Sequence, residues 1–129
     1  MKVIEGNLHS DNRGLVRFVN DFNMAKVARM YCIEPKMGVI RAWQGHKKET
    51  KWFYAAKGSF LVKTVEMATL ERKQHLLKDT ESIVLEISKG HYNGFEVLEE
   101  GSVLMVFSDL GLKESQGDDF RESLEKMKW

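Results

Sequence analysis

The sequence predicts an all-β sandwich or barrel with a short helix near its C-terminal end. Short runs rich in β-branched and aromatic residues recur along the chain, each closed by Gly, Asn, Asp or charged pairs. No apolar stripe at helical period precedes residue 118. At 129 residues with 43% hydrophobic content, one domain spanning 1–129 is long enough to bury a proper core.

The predicted strands follow in order. Leu15 to Phe22 reads as the first long strand, after the turn Asp11-Asn12-Arg13-Gly14. Val27 to Ile33 follows, stopped by the one proline, Pro35, and then Gly38 to Gln44. Lys51 to Ala56 and Ser59 to Met67 flank Lys57-Gly58, a hairpin turn with glycine where positive φ is needed. Gln74 to Leu77, Ser82 to Ile87, Phe95 to Leu98 and Val103 to Phe107 complete the series, with Met105, Val106 and Phe107 expected in the core. From Asp118-Asp119 onward, Phe120, Leu124 and Met127 fall at i, i+4 and i+7, which predicts a short amphipathic helix acting as a lid on the sandwich.

Charge narrows the function classes. Twenty basic against nineteen acidic residues leave a net charge of +1, without the basic surplus of a nucleic-acid binder. No segment approaches the roughly 20 apolar residues of a membrane span, and no export signal opens the chain. The expectation is a soluble, cytoplasmic protein that engages neither nucleic acid nor membrane. The single Cys32 has no disulfide partner within the chain and is expected to be a small buried hydrophobe.

Chemistry concentrates in Arg41-Ala42-Trp43-Gln44-Gly45-His46, where Gln44 and His46 share one face of a strand. Some fifty residues later comes Lys89-Gly90-His91-Tyr92-Asn93-Gly94-Phe95, a turn leading into a strand, with His91 expected in the turn and Asn93 as a turn residue. His9 and His75 show no ligand spacing, and Lys47-Lys48-Glu49 and Glu71-Arg72-Lys73 read as solvated loops. Aromatics such as Trp43, Trp52, Phe53 and Tyr54 more often fill a core or an interface than stack a base.

These two segments, in this order, resemble the signature motifs of a cupin, and more narrowly the RmlC-like cupins that rearrange nucleotide-linked keto sugars. Asp11-Asn12-Arg13-Gly14 is similar to the Asp-x-Arg-Gly turn of that group, and Arg29-Met30-Tyr31 to the Arg-x-Tyr strand of its dTDP-hexose 3,4-ketoisomerase branch. The resemblance implies a double-stranded β-helix, or jelly-roll sandwich, assembled as a homodimer. In metal-binding cupins the two motifs supply three His and a Glu. Here Gln44 and Asn93 stand at two of the His positions and only His46 remains, so no metal and no other cofactor are expected.

The metal-free branch implies proton transfer beside the carbonyl of a dTDP-4-keto-6-deoxyhexose, through an enolate. In the 3,5-epimerases the base occupies the position of Gln44, and an amide cannot serve; their catalytic tyrosine would lie near residues 107–112, where there is none. A 3,4-ketoisomerase-like reaction with His46 as base is therefore the favoured enzyme reading. Gln44, Tyr31 and Lys51 are the supporting catalytic candidates, Lys51 as a cation for the enolate. Arg13, by resemblance, contacts the diphosphate; Arg29, Asn93 and Asp119 are further candidate binding residues. Arg41 matches a family arginine, yet a regular strand points it away from Gln44 and His46, so it needs a bulge or a partner subunit to join them. Two other readings stay open: an inactive cupin that binds a sugar nucleotide or carbohydrate, and an assembly partner of a glycan-modifying enzyme.

Overall fold

A computed structural model describes residues Met1–Trp129. Twelve strands form two five-stranded antiparallel sheets and a separate hairpin. The strands are β1 (Lys2–Glu5), β2 (Asn7–Asp11), β3 (Gly14–Phe18), β4 (Arg29–Ile33), β5 (Ile40–His46), β6 (Lys51–Lys57) and β7 (Ser59–Glu66). They continue with β8 (Arg72–Lys78), β9 (Ile83–Ile87), β10 (His91–Val97), β11 (Val103–Ser108) and β12 (Phe120–Arg121). One sheet runs β1-β9-β6-β11-β4 and faces the other, β12-β5-β10-β7-β8; β2 and β3 pair only with each other. This is the jelly-roll sandwich of a cupin.

Alternation along the strands builds the core. On β11, Leu104 and Val106 are fully buried, while Met105 and Phe107, expected in the core from the sequence, alternate with them and turn to the outer face. Phe107 there meets Phe22, which also packs on Trp52. Inside, Phe53, Leu85 and Ile87 of one sheet oppose Phe60, Val62 and Phe95 of the other, and the Phe60 and Phe95 rings meet edge to face. Gly58 takes φ +79° at the β6–β7 turn, as its sequence predicts. A Cβ there would collide with Ser102.

Several sequence expectations need correcting. β1 and β2 were not legible as strands. The first long run stops at Phe18, because Val19–Phe22 turns toward the outer face of Trp52 and Phe107. The hairpin β2–β3 is held through Arg17, whose guanidinium donates to the carbonyls of Ala55, Ala56 and Asp79. Cys32 is exposed, since it alternates with the inward Tyr31 and Ile33 on the edge strand β4. His91 opens β10, paired with His46, and Asn93 is a buried strand residue. The short helix exists but lies earlier, α1 at Leu112–Gln116. Residues 120–122 instead run extended along the free edge of β5, where backbone pairing outweighs a weak helical stripe. No helix is long and apolar enough to cross a membrane.

Candidate active site

The core fills only part of the sandwich. Beyond Phe53, Phe95 and Val106 the sheets enclose a cavity of about 460 Å³, walled by residues of β4, β5, β6, β10, β11 and β12. Its charged wall residues are Arg41, Lys51 and Arg121, with no carboxylate among them. Tyr31, Gln44 and Asn93 add neutral polar groups. A cavity lined by three cations and apolar side chains suits an anionic ligand with an uncharged ring.

Arg41 reaches this wall because β5 carries a bulge. Gln44 pairs with Asn93 and Arg41 with Phe95, so three residue steps on β5 match two on β10. The extra residue falls at Ala42 and Trp43, whose peptide bond is cis. Arg41 and Gln44 thereby share the inner face. The charge of Arg41, like that of Arg121, is felt at the Tyr31 phenol on the wall. Burial nonetheless dominates at Tyr31 and raises its pKa, keeping the phenol a neutral donor.

His46 lies one pleat beyond Gln44, just outside the cavity wall and 3% exposed. Its Nδ1 is 2.7 Å from the Asp118 carbonyl and 3.0 Å from Glu49 Oε2. Two acceptors at one nitrogen place the neutral ring's proton on Nδ1. Nε2 is then an unprotonated acceptor, and it is buried without any partner.

Glu49, read from sequence as a solvated loop residue, is 1% exposed and organises this region. Its Oε1 accepts from Arg29 at 3.0 Å and from the Ser108 hydroxyl; its Oε2 accepts from Ser115 Oγ at 2.9 Å. Burial works to raise its pKa, but hydrogen bonds from His46 and Ser108 and the charge of Lys51 bring it down to about 2. The turn holding Glu49 is shaped by Asp118, whose carboxylate accepts the backbone N–H groups of Lys47, Lys48 and Glu49 at 2.8–2.9 Å. Lys47 and Lys48 stay exposed, as expected.

Lys51 is 3% exposed, and its Nζ donates to Gln44 Oε1 at 3.1 Å. Burial lowers its pKa to about 8, against the pull of Glu49. Gln44 Nε2 donates to Asp119 Oδ1, which also accepts from Arg121 Nε at 2.8 Å. Asn93 donates to the Gln44 carbonyl across the strands.

The structure therefore brings together Gln44, Lys51, Tyr31, Arg41 and Asn93, with His46 and Asp119 beside them. It does not bring Arg29 to the cavity: its guanidinium braces Glu49, the Leu110 carbonyl and Ser115. Arg13 sits far off at the tip of the β2–β3 hairpin, 83% exposed and paired with Asp11. Glu49, Asp118 and Arg121 were missed. Only Glu49 carried a local signal, its position three residues after His46. No three His, Cys, Asp or Glu side chains converge anywhere, so the donor set does not fit a metal held as in the metal-binding cupins.

Comparison with known proteins agrees with this architecture. Among solved structures, the chain is similar to a 3,4-ketoisomerase from Helicobacter canadensis, with TM-score 0.76, 21% identity, and 94% of this chain and 90% of that one covered. It is also similar to QdtA, a sugar 3,4-ketoisomerase from Thermoanaerobacterium thermosaccharolyticum solved with TDP, with TM-score 0.76, 21% identity and coverage of 94% and 87%. The Mycobacterium tuberculosis rmlC epimerase matches with TM-score 0.78 and 20% identity over 92% of this chain, which spans 66% of that protein's length. At these identities the likeness is one of fold. No curated protein matches the sequence. The family model described as FdtA: WxcM-like, C-terminal matches residues 1–127, so the chain belongs to the WxcM-like, C-terminal family.

Proposed function

We propose that this protein is a metal-free isomerase or epimerase of a dTDP-4-keto-6-deoxyhexose, and specifically a 3,4-ketoisomerase. The observation that carries the reading is His46: a ring with Nδ1 held by Glu49 and Asp118, and a bare Nε2 buried beside a cationic cavity. Nε2 takes the proton from C3 of the sugar. The electrons move onto the C4 oxygen, giving an enolate, and Glu49 balances the imidazolium that forms. The substrate's keto oxygen takes Lys51 Nζ away from Gln44, so the ammonium meets the developing charge. Returning the proton to C4, while the hydroxyl proton moves from the C3 oxygen to the C4 oxygen, completes the 3-keto product. Arg41 and Arg121 bind the diphosphate, and Tyr31 and Asn93 hydrogen-bond the sugar.

The solved neighbours support the substrate class: QdtA was solved with TDP, and a Streptomyces bikiniensis 3'-monoepimerase with dTDP-quinovose. The absence of a tyrosine in 107–112 favours ketoisomerisation over 3,5-epimerisation. Gln44, tied at both ends to Lys51 and Asp119, favours a second reading, a binding cupin without turnover. The protein acts as a homodimer in the cytoplasm. Exposed apolar side chains support a second copy: Leu8 and Leu15 share one face of the hairpin, Met30 is exposed on β4, and Arg13 would reach a diphosphate only in that partner's cavity.

Incubation with dTDP-4-keto-6-deoxyglucose in deuterated water, followed by NMR, tests the proposal. The native protein should replace the C3 proton and form a 3-keto sugar, and His46→Asn should do neither. An unchanged spectrum with the nucleotide signals broadened would sink catalysis and leave the binding module. Sedimentation of the native protein at micromolar concentration decides the dimer.

A further inference from the structure

The outer face of the second sheet carries a feature the proposed reaction does not use. Opposite the bulge stands Gly94, paired with Lys63 of β7 and facing away from the cavity. A Cβ on Gly94 would lie 2.5 Å from Ala42 Cβ, 2.9 Å from the ring of Trp129 and 3.0 Å from the Arg41 carbonyl. The space left by the missing side chain is thus filled jointly by the bulge and by Trp129. Trp129 also packs at a tilt of 42° on Trp43, with centroids 5.2 Å apart, and donates its indole N–H to Glu96 at 3.1 Å. Lys63 Nζ covers its ring at 4.6 Å.

Trp43 is held as firmly. It is 1% exposed, and its indole N–H donates to the Met127 carbonyl. Its backbone N–H and C=O pair with the C=O and N–H of Glu122, continuing the register in which Gly45 pairs with Phe120 and Gln44 with Arg121. Segment 122–129 thus runs along the edge of β5 at the bulge and covers it through Met127 and Trp129. The bulge in turn is what puts Arg41 on the cavity side.

We propose that Trp129 is a positioning residue for Arg41: by packing on Trp43 and Gly94 it holds the β5 bulge in the register that turns the Arg41 guanidinium into the cavity. The contact acts on ligand binding through the strand and never touches the ligand. It rests on the proposed reading only in taking a nucleoside diphosphate as the ligand for Arg41. Relaxing β5 to regular pairing would carry Arg41 to the outer face, because one residue of slip inverts every side chain beyond it.

The test is a double-mutant cycle read by titration with TDP, alongside amide hydrogen exchange. Trp129→Ala should raise the Kd for TDP about tenfold, and Trp129→Phe should stay within about twofold of native because it still packs on Trp43. In an Arg41→Ala background, Trp129→Ala should cause no further loss. Exchange at Trp43 and Phe95 should accelerate in Trp129→Ala while distant strands such as β9 keep their protection. Equal loss of TDP binding in both backgrounds, or none in the native one, would overturn the inference. If Trp129→Ala does not fold, Trp129→Leu takes its place in the same cycle. If the native protein binds no TDP, the proposed ligand class fails, and exchange alone decides: unchanged protection at Trp43 and Phe95 overturns the positioning role.

Discussion

The Nδ1 of His46 lies 3.0 Å from Oε2 of Glu49, and both side chains are almost completely withdrawn from water. A carboxylate in that position fixes the tautomer and would stabilise an imidazolium, so in the proposed reaction the pair would serve as a base with its counter-charge installed. Glu49 is itself satisfied by Arg29, Ser108 and Ser115, which keeps it ionised.

That ionisation makes Glu49 a pH-dependent contributor to stability. Its folded-state pKa, about 2, lies below the ordinary 4.5, so its contribution is complete above pH 4.5. It is lost as the pH falls toward 2. The shift corresponds to about 3 kcal/mol. Glu49→Gln should remove a similar amount at pH 7, because Arg29 loses its buried partner. Urea unfolding at pH 7 and pH 3 checks this: the difference between native and variant should shrink markedly at the lower pH.

Lys51 behaves in the opposite sense. Its pKa is lowered from 10.5 to about 8, so the folded state resists protonation. Its favourable contribution is present only above about pH 10.5 and is lost as the pH falls through 8, leaving a net cost at neutrality of roughly 3 kcal/mol. Lys51→Met should therefore stabilise the fold by about 1–3 kcal/mol at pH 7 while lowering kcat on the order of 100-fold. In the native protein the kcat of the proposed reaction should decline as the pH rises through 8, and Lys51→Arg should carry that limb to higher pH. A variant that lost stability along with activity would mean that Lys51 is chiefly a packing residue.

Much of the fold was legible because it follows from local rules. The Lys57-Gly58 hairpin, the inward Leu104 and Val106, and the shared face of Gln44 and His46 need only turn chemistry and a period of two. What stayed hidden depends on pairing between distant segments. Glu49 looked like a loop charge because the group that folds its turn, Asp118, lies 69 residues away. Arg41 seemed to point outward because a bulge shows in the register with β10 and not in the sequence of β5. The stretch from Asp118 carries a helical period, yet the open edge of β5 takes it as a strand and so brings Arg121 to the cavity.

Asp118 gives a third prediction. Burial would raise its pKa, but backbone N–H groups from Lys47, Lys48 and Glu49 outweigh that and lower it. Asp118→Ala leaves three donors without their acceptor and should cost about 3 kcal/mol. Asp118→Asn keeps one acceptor oxygen and should fall between alanine and native. Because the same turn presents Glu49 to His46, both variants should slow deuterium exchange into the sugar. Urea unfolding and the exchange rate should rank the three proteins in the same order.

Gly94→Ala tests the bulge from its other side. A methyl group there meets Ala42 Cβ at 2.5 Å and the Arg41 carbonyl at 3.0 Å, neither of which can swing aside. The strand must shift, at about 1–3 kcal/mol, and TDP binding should weaken as Arg41 moves. Removing the opposing methyl should relieve the closest contact, so the Gly94→Ala, Ala42→Gly double variant should recover part of both losses. Thermal unfolding and TDP titration of the four proteins complete the cycle. Recovery of stability without recovery of binding would separate the packing of Gly94 from the orientation of Arg41.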